Sequence, residues 1–167
     1  MSLPLIRDAT LDDIPTITTI YGDAVRHGTA SFEIDVPDEA EMARRFTALV
    51  DNGFPYIVAE VDGALAGYAY AGPYRTRYAY RFPVEDSIYV APQMHRRGVG
   101  RALLSVLVKE STRRGYKQML AVIGDSSNSG SIQLHRAAGF RMIGTFEHVG
   151  FKFDRWLDTV LMQRELS

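Results

Sequence analysis

Cysteine is absent from this chain of 167 residues, so disulfides and thiolate metal sites are excluded. The four histidines are scattered, with no His-x-x-x-His spacing, and no metal site is expected. Long apolar runs are missing too, and no stretch approaches the ~20 residues of a membrane-spanning helix. Residues 1–7 carry no basic segment followed by an apolar run, so no secretory signal is expected and a cytoplasmic protein is the default. Neither sign of charge dominates. With 19 Lys and Arg against 20 Asp and Glu, the net charge is -1, which argues against non-specific nucleic-acid binding. Internal repeats and low-complexity linkers are also lacking. The length and the 46% hydrophobic content fit a single domain over residues 1–167.

Hydrophobic periodicity and turn residues divide the chain into elements. Residues 5–9 read as a short strand. Thr10 and Asp13 form a capping-box pattern ahead of a helix reaching about His27, with Ile14, Ile17, Ile20, Tyr21 and Ala24 on one face. Pro37-Asp38 opens a second helix that stops near Gly53. Residues 56–61 and 65–71 flank Asp62-Gly63, a strong hairpin signal, and Gly72-Pro73 is expected to break the second strand. A loop rich in tyrosine and arginine leads to a strand over 85–91, then a helix over 98–115. A continuous apolar strand, 119–123, reads as buried on both faces. A short helix, 131–138, and two strands, 140–149 and 153–164, close the chain. The order is β-α-α-β-β-β-α-β-α-β-β. It predicts a mixed, mostly antiparallel α/β sheet with helices on both faces and one right-handed crossover from Glu85 to Ile123.

The segment richest in chemical information is Gln93 to Arg101. Gly98 and Gly100 stand between a strand end and a helix start, flanked by Arg96, Arg97 and Arg101. Glycine admits a ligand close to the backbone, and the free N–H groups of a helix N-terminus attract phosphate. A dinucleotide fingerprint is excluded because Leu103 occupies the third glycine position. A P-loop is excluded because no Gly-Lys-Ser/Thr follows. A one-turn pyrophosphate cradle remains, against the plain alternative of a tight turn into a helix.

Residues 90–104 resemble the acetyl-CoA signature of the GCN5-related N-acetyltransferase (GNAT) family, Gln/Arg-x-x-Gly-x-Gly/Ala, with His95 replacing the first residue. Asn128, followed by Ser131, His135 and Gly139-Phe140, resembles a second element of the family, with His135 standing where a tyrosine is common. Three further segments are similar to the phosphinothricin and methionine sulfoximine or sulfone acetyltransferase branch. They are residues 69–75, residues 85–90, and Gly150-Phe151-Lys152 with Trp156-Leu157-Asp158. The resemblance spans residues 6–164. It implies an acetyl-CoA-dependent N-acetyltransferase that modifies the amino group of a small amino acid.

The resemblance also implies roles. Ile88, Tyr89, Val90, Arg96, Arg97, Gly98, Val99, Gly100, Arg101 and Asn128 would hold acetyl-CoA, with Asn128 on the pantetheine arm. Glu85 would be a general base acting through water, with a solvated strand-end carboxylate as the alternative. Asp86 is the weaker base candidate, because alternation points it to the opposite face. The backbone N–H of Val90 would polarise the thioester carbonyl. His135 would serve as an acid near the sulfur, or else as a helix histidine satisfied by backbone. Arg75, Thr76, Arg77, Glu85, Asp86, Ser87 and Phe32 would contact the amino acid, the arginines forking its carboxylate. Glu33, Tyr78, Tyr80 and Trp156 are further candidates for the pocket wall. A homodimer is expected by analogy, with the aromatic C-terminal strands as one possible interface. Two other readings stay open: a peptide or protein N-terminal acetyltransferase, and an acetyl-CoA-binding module without turnover.

Overall fold

The computed structural model describes residues 2–167. Seven strands form one sheet in the order β1-β2-β3-β4-β5-β7-β6, with every neighbouring pair antiparallel except β4 and β5. The strands are β1 (Leu5–Asp8), β2 (Tyr56–Val61), β3 (Ala64–Pro73), β4 (Pro83–Val90), β5 (Gln118–Gly124), β6 (Arg141–Lys152) and β7 (Arg155–Glu165). The helices are α1 (Ile14–His27), α2 (Glu39–Asp51), α3 (Val99–Arg113) and α4 (Ser129–Ala137). Element order and mixed α/β class follow the sequence reading.

Two apolar layers enclose the sheet. On one face Leu103, Leu104 and Leu107 of α3 pack over Ile57, Ala69, Val84, Met119 and Met162. On the other, Ile17, Val25, Met42 and Phe46 of α1 and α2 cover Tyr56, Val58 and Tyr68. The second layer stops at β4. On that face of β5, Gln118 and Leu120 are therefore only half-buried and Val122 is 40% exposed. The expectation that β5 is buried on both faces is corrected on this point, because α1 and α2 reach only the first four strands.

Three local details also differ. The first helix begins as a 3-10 turn at Leu11–Asp13, where Asp13 accepts from the Thr10 N–H at 2.8 Å and from Arg7 at 2.8 and 2.9 Å. Strand β3 continues through Gly72-Pro73, which pair with Glu85 and Val84. The Ala71 N–H points to Pro55. By alternation the missing N–H of Pro73 faces the same side, beyond the start of β2, and no ladder bond is lost. Phe153 starts no strand. Phe153 and Asp154, with φ of 54° and 57°, form the two-residue turn between β6 and β7.

Candidate active site

Strands β4 and β5 pair only at Pro83↔Gln118, Val84↔Met119 and Glu85↔Leu120. Beyond that point β4 stays with β3 as far as Gly67↔Val90, and β5 stays with β7 as far as Gly124↔Thr159. The strands splay, and a cavity of about 1020 Å³ opens in the gap, reaching from Phe32 and Glu85 to Gly98 and Asn128.

At one end, the turn before α3 holds two left-handed residues, Arg96 (φ 64°) and Gly98 (φ 76°). Gly98 is the N-cap of α3, and Gly98, Val99, Gly100, Arg96 and Arg101 line the cavity. The turn aims free backbone N–H groups and two guanidinium side chains at the same space, a donor set matched to a pyrophosphate. Arg97 does not line the cavity; its Nη1 lies 3.7 Å from the Met94 sulfur.

In the middle, the ladder fixes the direction of a donor. The Ala91 N–H bonds the Ala66 carbonyl at 2.8 Å. Antiparallel pairs alternate, so the N–H and C=O of Val90 point away from β3, into the gap. The Val90 carbonyl is taken by His95 Nε2 at 3.1 Å. The Val90 N–H faces the cavity as a fixed donor.

Glu85 and Asp86 occupy opposite faces of β4. Glu85 is half-buried, and burial, helped by the charge of Asp86, lifts its carboxyl to about 7. Asp86 and His135 are 8% and 3% exposed. His135 Nε2 donates to both Asp86 oxygens at 3.0 and 3.1 Å, while Nδ1 donates to the Ser131 carbonyl at 2.7 Å. A carbonyl and a carboxylate only accept, so the ring carries both protons. Burial opposes its charge, but the bond and charge of Asp86 and the Ser131 carbonyl outweigh this and raise the imidazole above its usual range. His135 lines the cavity, with both its N–H groups bonded within the protein. Asn128 is likewise double. Its Oδ1 accepts from the Ser131 N–H at 3.3 Å as N-cap of α4, and the residue lines the cavity.

On the Glu85 side, Ser87 and Phe32 line the cavity, with Tyr70 beside them. The Phe32 ring fits between two glycines. A Cβ at Gly124 or at Gly150 would stand 2.5 Å from it. Arg75, Thr76 and Arg77 sit elsewhere, on an exposed loop outside the lining, with the Arg75 guanidinium 5.0 Å over the Tyr74 ring. Tyr78, Tyr80 and Trp156 are 79%, 40% and 61% exposed and do not line the cavity. Glu33 is held by Arg45 at 2.6 Å and by the Tyr21 hydroxyl at 2.6 Å. Sequence reasoning missed the α1 wall. Ile20, Asp23, Ala24 and His27 line the cavity, at a helical spacing read as core (Ile20, Ala24) or surface (His27).

Comparison with known proteins agrees with this arrangement. The acetyltransferase (GNAT) domain family matches residues 6–161. The phosphinothricin N-acetyltransferase of Alcaligenes faecalis is 52% identical over 163 residues, covering 98% of this chain and 81% of that protein. An L-methionine sulfoximine/L-methionine sulfone acetyltransferase of Salmonella typhimurium is 39% identical over 97% of this chain and 94% of its own. Among solved structures, a GNAT superfamily phosphinothricin acetyltransferase from Sinorhizobium meliloti in complex with AcCoA superposes with a TM-score of 0.97. It is 49% identical and covers 99% of this chain and 90% of that one. A splayed sheet with a glycine cradle at the head of α3 defines a class of acyl-CoA-using proteins. The chain belongs to the GNAT acetyltransferase family.

Proposed function

We propose that this protein transfers the acetyl group of acetyl-CoA to the amino group of a small amino acid such as phosphinothricin, methionine sulfoximine or methionine sulfone. The observation that carries the reading is the placement of Glu85. A carboxyl raised to about 7 stands at the mouth of the strand splay, one stretch of β4 away from the inward-facing Val90 N–H. The relatives named above act on amino acids of this kind, which supports the substrate class.

Acetyl-CoA supplies the acetyl group as an activated thioester. The residues that would hold its diphosphate are Arg96, Gly98, Val99, Gly100 and Arg101, with Ile88, Tyr89, Val90 and Asn128 along the arm, while the Arg97 side chain stands outside this set. Glu85 takes a proton from the incoming ammonium through water, leaving the neutral amine that attacks. A base near the working pH is best suited to this step. The Val90 N–H stabilises charge on an oxygen in the gap without reorganising. His135, charged, with both N–H groups held by Asp86 and the Ser131 carbonyl, places a positive charge beside the departing sulfur; as the C–S bond breaks, the proton shed by the newly acylated nitrogen passes through solvent to the thiolate. Ser87 and Phe32 contact the amino acid. The only guanidinium groups lining the cavity among the described residues, Arg96 and Arg101, lie at the phosphate end. The substrate carboxylate is therefore met from the rim. Arg75 and Arg77 follow Gly72, which pairs with Glu85, and they are the nearest arginines along the chain to the amine side.

The chain acts as one domain over residues 1–167 and as a homodimer in the cytoplasm. The exposed aromatic side chains of the β6–β7 hairpin, Phe146, Phe151, Phe153 and Trp156, support a self-association surface. None of the helices among the described residues is long and apolar enough to cross a membrane.

The test is CoA release from acetyl-CoA by purified protein with a panel of amines. Selective turnover of methionine sulfone, methionine sulfoximine or phosphinothricin supports the proposal. Turnover confined to peptides or polyamines overturns the substrate class.

A further inference from the structure

Lys152 is a lysine only 4% exposed, and a buried ammonium is tolerated only where fixed partners replace water. Its partners are two carbonyls of one loop. Nζ donates to Gly28 O at 2.9 Å and to Ser31 O at 2.7 Å. Gly28 is the C-cap of α1, its N–H bonded to the Ala24 carbonyl at 3.0 Å. The ammonium therefore sits at the negative end of the helix dipole, where a cation is favoured. The same loop is tied from the other side, because the Tyr21 hydroxyl bonds Ser31 Oγ at 2.7 Å.

Phe32 follows directly, and its ring seats against Gly124 and Gly150. Gly150 and Lys152 lie two residues apart on β6, on the same face of the strand. Leu120 is paired with Glu85, so Leu120, Val122, Gly124 and Glu85 share a face. The loop thus closes the cavity on the Glu85 side, away from the glycine cradle.

We propose that Lys152 is a positioning residue for the amine pocket. It anchors residues 28–32, and through Phe32 it sets the size of the amino-acid side chain that is accepted. The inference rests on the proposed function only in naming the amine as the occupant of this side.

The experiment compares Lys152→Met, Phe32→Leu and the double variant, using methionine sulfone as the amine. Lys152→Met is expected to raise the amine KM about tenfold or more, since small misplacements of a positioning wall are costly. The KM for acetyl-CoA stays within about twofold. The double variant shows no more than the larger single effect, because the two residues act in series. Equal rises in both KM values, or additive effects, would overturn the inference. Lys152→Gln, which retains a donor for one carbonyl, gives a smaller shift and serves if Lys152→Met fails to fold. Hydrogen exchange at the amides of residues 29–33 is read in parallel. Faster exchange in the Lys152 variant upholds the anchor even if wild type acetylates none of the amines tested. Unchanged exchange refutes it whatever the activity.

Discussion

Replacing Glu85 by Gln tests the chemistry at its most exposed point. The carboxyl titrates near 7 because burial disfavours its charge and Asp86 adds repulsion. In wild type the ionised base rises from about one-tenth at pH 6 to about nine-tenths at pH 8. The value of kcat/KM for the amine should rise through that window and then level off until the ammonium itself titrates. Gln keeps the shape and loses the basicity. The expected loss is ~10²–10⁴-fold in kcat, or about 3–5 kcal/mol of barrier. The limb near pH 7 disappears while the amine's limb persists. The same substitution has a predicted effect on stability. A group whose folded pKa is raised contributes stability that is present below its unfolded pKa, near 4.5, and lost as pH rises through about 7. Above pH 7 the Gln variant should therefore be more stable than wild type, by up to about 3 kcal/mol. The assays are stopped-time CoA release from pH 5.5 to 9.5 and urea unfolding at pH 5 and 8. A Gln variant that keeps the limb near pH 7, or turns over like wild type, would remove Glu85 from the base role.

Asp86→Asn leaves the His135 imidazolium buried beside a neutral partner, and breaking such a pair costs ~3–5 kcal/mol by urea unfolding. Because the His135 pKa is raised, its stabilisation is complete below pH ~6.5 and fades as pH climbs through the folded value, so the cost should be larger at pH 6 than at pH 9. Gly98→Ala meets no neighbouring atom but must hold φ at 76°. The strain is ~1–2 kcal/mol, and weaker acetyl-CoA binding by calorimetry is the expected readout. Arg75→Ala should raise the KM for amino acids several-fold with an unchanged melting temperature, since the side chain is exposed. An unchanged KM would move carboxylate recognition to another residue.

The order of elements was legible because local signals mark nearly every boundary. Asp62-Gly63 turns one hairpin, Asp38 caps α2 by accepting from the Glu41 N–H, and Gly98 begins α3. Two boundaries carry no such local signal. Phe153-Asp154 lacks the usual glycine of a two-residue turn, and Pro73 is harmless in β3 only because of which side its missing N–H faces. The site was legible only in part, for a related reason. The cavity exists because β4 and β5 part after Glu85 and Leu120, and such pairing is a long-range property. Val122 could not be seen as a pocket residue, nor Lys152 as a buried cation. Alternation did separate Glu85 from Asp86, but only the packing of α4 shows that Asp86 meets His135. The resemblance and carboxylate chemistry point to Arg75 and Arg77, and the fold leaves them, with Tyr78 and Tyr80, on the surface.

A competition between amines decides the substrate class. Acetyl-CoA is offered to purified protein with equal concentrations of methionine sulfone, phosphinothricin and a short peptide with a free N-terminus, and the products are resolved by mass. An acetylated small amino acid should dominate, with one acetyl added at its amino group for each CoA released. A mixture in which the peptide carries the acetyl group would contradict the proposed function.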